Sequence, residues 1–145
     1  MKSKTTAIVT TILFLLIILN NSFPQVMQLD TSFGHNGIVT TSMNVIGSSG
    51  IRSSAIQRDG KIVVAGYTRF DDQSDFALAR YNPDGSLDID FGIDGIVITS
   101  IGTFNDEAYS VAIQPNGKII AGGYTDDGSQ SDFALVRYNP DGSPD

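Results

Sequence analysis

The feature that most constrains the fold of this chain is a block of sequence that occurs twice. Residues 74–86 read SDFALARYNPDGS, and residues 131–143 read SDFALVRYNPDGS, 57 positions further along. Self-similarity at a fixed spacing of this size is typical of repeat architectures, in which each copy is one supersecondary unit. The chain is therefore interpreted as two copies of one unit.

The repeat extends over most of the chain. LDTSFGHNGIVTTS at 29–42 returns as LDIDFGIDGIVITS at 87–100, and IQRDGKIVVAGYT at 56–68 returns as IQPNGKIIAGGYT at 113–125. The first pair is offset by 58 residues and the second by 57, and a surface loop tolerates such a change of length. This divides the chain into repeat unit 1 at 29–86, repeat unit 2 at 87–143 and the start of a truncated third unit at 144–145.

Each unit contains four short runs rich in Val, Ile, Tyr and Phe, separated by Gly, Asn, Asp and Pro, which is the pattern of β-strands. The predicted strands are 37–42, 53–57, 61–67 and 75–81 in the first unit, and 95–100, 108–114, 118–124 and 132–138 in the second.

The last strand of each unit carries apolar side chains on both faces, so its sheet has to be covered on both sides. One sheet of this size cannot cover itself, whereas identical sheets packed face to face can, as in a β-propeller. We predict an all-β repeat protein with two four-stranded antiparallel blade-like units of an incomplete β-propeller.

Two kinds of turn separate the predicted strands. The second and third strands are joined by Asp59-Gly60 in unit 1 and by Asn116-Gly117 in unit 2, which favour a type I′ hairpin turn because both residue types accept positive φ. The fourth strand ends in Asn-Pro-Asp-Gly, where proline presets φ and the next two residues complete a tight turn. The residues of these turns are Pro83, Asp84, Gly85, Pro140, Asp141 and Gly142.

The N-terminus has the order of a secretory signal peptide. Lys2 and Lys4 precede an apolar run from Ala7 to Leu19, which is shorter than the roughly 20 residues that span a bilayer. We therefore expect residues 1–25 to be a signal peptide, cleaved between Ser22 and Val26, and the mature protein to be secreted or held at the cell surface without a stable membrane span.

Composition excludes several classes of function. The net charge of -7 opposes binding to phosphate backbones, so nucleic acid is not an expected partner. The absence of cysteine excludes disulfides, thiolate nucleophiles and cysteine-ligated metals.

The repeated motifs resemble those of a known family. The patterns DxxFGxxGxVxT and DFALxRYNPDGSxD, separated by IQRDGKIVVAGYT or its counterpart, are similar to the bacterial delta-60 repeat family, a domain of unknown function that is predicted to be of β-propeller type. The resemblance covers nearly all of 29–145 and implies a part of a large exported protein with many repeats. It brings no catalytic residues. The chain departs from the pattern in SSGIRSSAIQ of the first unit and in Pro144-Asp145, which points to a fragment of a longer chain.

Few residues suggest catalysis. His35 is the one histidine and lies in a Gly-His-Asn-Gly turn, so we expect it on the surface rather than in a triad. Two carboxylate pairs, Asp88 with Asp90 and Asp106 with Glu107, have the residue types of a glycoside hydrolase, but a structural role is favoured because Asp88 recurs as Asp30.

Acidic loops offer a candidate calcium site at Asp126, Asp127 and Asp132, although their spacing does not match an EF-hand. No other cofactor is expected. The recurring cations Lys61, Lys118, Arg80 and Arg137 are interpreted as structural partners of Asp75 and Asp132.

A ligand site that is not part of the repeat should lie where the two units differ. Those positions include His35, Arg52, Arg69 and Phe70, which face Ile93, Tyr109, Asp126 and Asp127. The pair Arg69-Phe70 is the candidate for contact with a glycan or a protein.

The sequence thus predicts an exported structural or binding module with no evident catalytic activity. Two alternatives stay open: a glycan hydrolase or lyase on a propeller scaffold, and a non-functional fragment of a larger secreted protein whose sheet edges pair with further blades or with a second copy.

Overall fold

The computed structural model describes residues 28–43 and 47–145, and within these ranges every regular element is a β-strand. The predicted signal peptide at 1–25 lies outside the described residues. The strands are β1 (Ser49–Ile56), β2 (Ile62–Phe70), β3 (Gln73–Tyr81), β4 (Ile96–Thr99), β5 (Asp106–Ile113), β6 (Ile119–Asp126) and β7 (Ser131–Tyr138). The all-β class is therefore confirmed. The described part of the chain has no helix with the length and apolarity to cross a membrane.

The strands form two antiparallel sheets. Blade one has four strands in the order β1-β2-β3-β4, and blade two has three strands in the order β5-β6-β7. The second sheet thus differs from the predicted four strands. This two-sheet arrangement is that of partial propeller repeats.

Blade one takes its last strand from the second repeat unit. β4 pairs with β3, with Phe76 opposite Thr99 and Ala79 opposite Ile96. The prediction that each sheet uses four strands of one unit is corrected here. The physical reason is that the first apolar run of unit 2 reaches across to the free edge of the sheet before it, where its backbone groups find partners.

The equivalent run in unit 1, predicted as a strand at 37–42, forms no strand. Its neighbourhood has isolated bridges from Gly34 and His35 to Ile38, and the run crosses one face of blade one. There the Tyr81 hydroxyl donates to Thr41 Oγ1 at 2.8 Å. The side chains of this run thus contact their own unit while no strand lies beside its backbone in the described residues.

The hydrophobic core lies between the two blades. Phe76 and Leu78 on β3 are 0% exposed because alternate residues of β2 and β3 face blade two. Burying side chains of this size contributes about 2 kcal/mol each. The core cluster consists of Val63, Ala65, Phe76, Leu78, Phe91, Ala108, Ile119, Ala121, Ala134 and Tyr138.

The hairpin turns after β1 and β5 differ in type from the prediction. Gly60 has φ 85°, but Asp59 is not among the residues with positive φ. The Gly60 N–H donates to the Gln57 carbonyl at 3.0 Å, so the turn is of type I followed by a glycine in the left-handed region. A three-residue loop of this kind needs positive φ only at its glycine, and Asn116-Gly117 follows the same pattern.

The Asn-Pro-Asp-Gly turns end β3 and β7. In the second of them the Gly142 N–H donates to the Asn139 carbonyl at 2.9 Å, and Asp141 accepts the hydroxyl and N–H of Ser143. A Cβ on Gly142, which has φ 88°, would lie 2.8 Å from the Phe91 ring. Glycine therefore serves both the turn and its close contact with the Phe-Gly segment of the same unit.

A buried ion triad joins the two repeat units. Asp88 Oδ2 accepts hydrogen bonds from Arg80 Nε at 2.6 Å and from Lys61 Nζ at 2.8 Å. Asp88 is only 4% exposed and Arg80 only 7%. The predicted partner Asp75 does not take this role, because it lies at the opposite end of β3 from Arg80. In unit 2, Lys118 and Arg137 pair with Asp145 in the same way.

We expect Asp88→Asn to lower the free energy of unfolding by about 3 kcal/mol, because the buried Arg80 and the partly exposed Lys61 would lose the carboxylate to which both donate. Chemical denaturation of the parent and the variant measures this difference. Asp90→Asn is the matched control, since it removes the same charge two positions away at an exposed residue. Equal losses in the two variants would contradict the role of the triad.

The pH dependence of the same difference tests its electrostatic cause. Burial raises the pKa of Asp88, but the hydrogen bonds from Lys61 and Arg80 outweigh it and leave the pKa below its ordinary value. The stabilisation is therefore complete above the unfolded value of about 3.9 and is lost as the pH falls through the lower folded-state pKa. A difference between parent and Asp88→Asn that does not shrink over this range would show that charge is not what Asp88 contributes.

Candidate functional site

The first strand of each blade, β1 or β5, contains a β-bulge at the same position. The register of β1 against β2 shifts at Arg52, and the register of β5 against β6 shifts at Tyr109. Each of these residues is the extra, unpaired residue of its strand. Bulges redirect a side chain and are common next to functional sites. The two bulges thus single out a pair of equivalent positions at which the repeat units differ.

Glycines on the neighbouring strands permit the bulges. A Cβ on Gly66 would lie 1.9 Å from the Gly50 carbonyl oxygen, and a Cβ on Gly123 would lie 1.9 Å from the Glu107 carbonyl oxygen. The clash is with backbone and cannot be relieved by moving a side chain. Both bulges therefore depend on a glycine that the two units share.

The two bulge residues meet between the blades. The Arg52 guanidinium carbon lies 5.1 Å from the centroid of the Tyr67 ring and 5.4 Å from that of Tyr109. The Tyr109 ring stacks on Tyr124 with centroids 5.9 Å apart and an interplanar angle of 25°. Contacts of each kind contribute about 0.5–1 kcal/mol. Together they hold Arg52 against the rings of Tyr67 and Tyr109, and Tyr109 in turn stacks on Tyr124.

Glu107 connects this arginine to a second one. Its Oε2 accepts a hydrogen bond from Arg52 Nη2 at 3.1 Å, and its Oε1 lies 3.8 Å from Arg69 Nη2. The Glu107 side chain is 8% exposed, whereas those of Arg52 and Arg69 are 43% and 44% exposed. We call the set Arg52, Tyr67, Arg69, Glu107, Tyr109 and Tyr124 the bulge cluster.

Two residues of the bulge cluster have a shifted pKa. The hydrogen bond that Arg52 donates to Glu107 raises the pKa of Arg52 above its ordinary value. Burial, followed by the negative charge of Glu107, raises the pKa of Tyr124. The cluster contains two arginines and one glutamate, so its formal charge is positive on a protein whose net charge is -7.

The cluster can bind a ligand without performing chemistry on it. Tyr109 is 51% exposed although Arg52 and Tyr124 lie against its ring, and the partly exposed arginines retain N–H groups that can donate. A flat apolar surface next to fixed donors suits a ring that has one apolar face and hydroxyl or carboxylate groups at its edge.

Of the two residues predicted to contact a ligand, only one lies in the bulge cluster. Arg69 is paired with Glu107, but Phe70 follows it on β2 and so points to the opposite face, where it is 56% exposed. Sequence comparison of the units also identified Arg52 and its counterpart Tyr109. It missed Tyr67 and Tyr124, because they recur in both units and recurrence favoured a structural role.

The three acidic residues of the candidate calcium site do not converge. Asp126 pairs with Ser131 and Asp132 with Thr125, so Asp126 and Asp132 point to opposite faces of the sheet. Asp127 accepts the hydroxyl of Ser129 and two turn N–H groups. Among the described residues no three acidic or histidine side chains are grouped as they would be around a metal ion.

The predicted carboxylate pairs are separated by their surroundings. Asp88 is held in the ion triad while Asp90 is exposed, and Asp106 is fully buried with its Oδ2 bonded to backbone N–H groups. Glu107 is paired with arginine. His35 lies exposed in its turn. None of these groups is placed beside another as an acid and a base.

Comparison with known families identifies the repeat type. Residues 57–91 and 114–145 match a family described as "Domain of unknown function (DUF5122) beta-propeller". The two matched segments begin 57 residues apart and make up just under half of the chain. No curated protein and no solved structure is significantly similar to the chain. The protein therefore carries β-propeller-type repeats of unknown function, in agreement with the two sheets described above.

We expect Gly123→Ala to lower the free energy of unfolding by about 3 kcal/mol, because its Cβ would clash with the backbone of the bulge. Gly122→Ala is the matched control: its Cβ would meet only the ends of the Leu135 and Ser110 side chains, and unit 1 has Ala65 at this position. Thermal or chemical denaturation measures both. Equal effects of the two substitutions would show that the bulge does not require glycine.

Proposed function

We propose that this protein is an exported, β-propeller-type module of the delta-60 repeat kind that binds a glycan at the bulge cluster. The observation that carries the proposal is that Arg52 and Tyr109, the residues redirected by two equivalent bulges, differ between the units and yet meet in one exposed cluster. A residue that only maintains the blade would be expected to recur in each unit. The departure from the repeat is therefore interpreted as selection for a ligand.

The chemistry of the cluster favours a glycan over a protein ligand. A sugar ring can place its apolar face against the exposed part of Tyr109 and its hydroxyl groups near Arg52 and Arg69. The excess of one positive charge favours sugars that carry a carboxylate, which arginine binds in a bidentate manner. The cluster is one small exposed patch, whereas a stable protein partner needs about 800 Å² on each side.

Catalysis is not part of the proposal. A glycan hydrolase needs two carboxyl groups that flank the scissile bond, one of which donates a proton. Asp106 is 0% exposed and Glu107 is bound to arginine, so this pair supports binding geometry rather than proton transfer to a substrate.

Binding of the purified protein to an array of neutral and uronic-acid-containing oligosaccharides tests the proposal. We expect retention of carboxylated sugars, with affinity reduced at least about tenfold, or 1.4 kcal/mol, in both Arg52→Ala and Tyr109→Ala. These side chains are partly exposed, so the variants should fold. Calorimetry with the retained sugar gives the affinities.

Phe70→Ala is the matched control, because Phe70 is an exposed aromatic residue on the opposite face of β2. It should leave the affinity unchanged. Equal losses of affinity in Phe70→Ala and Tyr109→Ala would show that the sugar does not bind specifically at the bulge cluster. Absence of any bound oligosaccharide would overturn the glycan proposal.

Export is supported by the order of charge and apolarity in residues 1–25. We expect the chain expressed in a bacterium to leave the cytoplasm with a new N-terminus between Ser22 and Val26, as measured by mass spectrometry of each cell fraction. Leu15→Arg together with Leu16→Arg should interrupt the apolar run and keep the protein uncleaved inside the cell. An intact N-terminus in the cytoplasm of the parent strain would contradict export.

A further inference from the structure

The joint between the two blades shows how one repeat unit docks on the next. It has two parts: the apolar face of blade one that carries Phe76 and Leu78 packs on blade two, and β4 of the second unit completes the sheet of blade one. Both parts involve residues that recur 57 or 58 positions away. The inner joint is thus a template for any further contact made by the same surfaces.

The equivalent face of blade two lies open. Phe133 and Leu135, the counterparts of Phe76 and Leu78, are 103% and 79% exposed instead of 0%. Within the described residues the outer edge of β7 has no neighbouring strand, apart from a single bridge to Pro144. Two large adjacent apolar side chains on a sheet that also has an open edge favour association.

Blade one carries the complementary surface on its other side. At the inner joint, Ala121, Ala134 and Tyr138 belong to the surface that receives Phe76 and Leu78. Their counterparts Val64, Ala77 and Tyr81 line an apolar cleft of about 300 Å³. Blade two therefore exposes the apolar pair Phe133 and Leu135. Blade one has an open cleft formed by the counterparts of the residues that receive Phe76 and Leu78 at the inner joint.

The strand that would complete blade two is also present. Residues 37–42 read GIVTTS, and residues 95–100, which contain β4, read GIVITS. Thr41 Oγ1 already accepts a hydrogen bond from the Tyr81 hydroxyl, just as Thr99 Oγ1 accepts one from the Tyr138 hydroxyl. No strand pairs with Ile38–Thr41, the counterpart of β4, in the described residues, and the turn hydrogen bonds at Ile38 are the same as those that Ile96 makes while β4 is paired with β3, so this segment can be added to the edge of β7.

We propose that copies of this chain assemble head to tail, with blade two of one copy docked on the cleft of blade one of the next and with Ile38–Thr41 of that second copy added to β7. Such an interface is heterologous, because two different surfaces meet, and it closes into a ring when the rotation permits. The proposal is independent of glycan binding.

The arginine at the end of β7 fits the same arrangement. Arg80 lies 4.6 Å from the centroid of the Phe91 ring and donates to the Pro140 carbonyl, both in unit 2. The side chain of its counterpart Arg137 is 54% exposed, and Phe33, the counterpart of Phe91, is only partly buried. In the assembly Arg137 would contact Phe33 and the Pro83 carbonyl of the second copy.

Disulfide trapping tests the register. Ala77 lies opposite Ile98 at the inner joint, which makes Ala134 of one copy and Thr40 of another the expected neighbours. The chain has no cysteine, so a mixture of Ala134→Cys and Thr40→Cys should give a covalent dimer on addition of a mild oxidant, while each variant alone should not. Ser129→Cys, in an exposed turn, replaces Ala134→Cys as the control and should give none. Absence of the mixed dimer would overturn the proposed joint.

The mass in solution provides a second test that does not depend on cysteine chemistry. Sedimentation velocity of the purified chain should give a mass greater than that of one copy, and Leu135→Glu should reduce it to that of one copy. Leu135 is exposed, so this variant should retain its fold and its circular dichroism spectrum. Ile93→Glu is the control. Ile93 is 82% exposed even though the inner joint beside it is formed, so the proposed contact does not need this side chain and the variant should keep the mass of the parent.

Two results would overturn the head-to-tail assembly. One is a single-chain mass of the parent at concentrations well above micromolar. The other is rapid disulfide formation by Leu135→Cys alone, which would show that two blade-two faces meet each other in a symmetric dimer.

Discussion

The backbone pairing of β4 with β3 is the interaction on which the rest of the structure depends. It places a strand of the second repeat unit in the sheet of the first, so the first unit completes its blade only with a strand from the second. The segment of the second unit that contains β4 also contains Asp88, whose carboxylate pairs with Lys61 and Arg80 of the first unit. Hydrogen bonding, charge compensation and apolar packing therefore act at the same boundary, which gives two short sheets one common core.

That boundary also positions the bulge cluster. The cluster spans both blades, because Arg52 and Arg69 come from the first and Glu107 and Tyr109 from the second. Its geometry requires the blades to be docked and each bulge to be in place, and the bulges in turn require glycine on the adjacent strand. The bulges and glycines that position this site recur in both units and maintain the fold, whereas the exposed residues Arg52 and Tyr109 differ between the units.

The sequence anticipated the parts of the structure that local patterns control. Runs of apolar and β-branched residues located the strands of both blades within a few residues, and the repeat indicated that the sheets would pack face to face. It misjudged 37–42, since the same run forms a strand in unit 2 only where the edge of β3 lies beside it. The partner of Arg80 was also missed, because Asp75 and Asp88 are both near Arg80 in sequence. In the structure Asp75 lies at the opposite end of β3, whereas Asp88 contacts Arg80.

Periodicity and residue types are enough to establish the repeat, the all-β class and the positions at which the two units differ. Which of the differing residues meet depends on how the sheets pack. Arg52 and Tyr109 are 57 positions apart, and their contact depends on two bulges and on the docking of two sheets, neither of which leaves a local pattern. The exposure of Phe133 and Leu135 was likewise hidden, since their sequence context is almost the same as that of the buried Phe76 and Leu78. Burial depends on what packs against a surface, and a short stretch of sequence does not encode its neighbour.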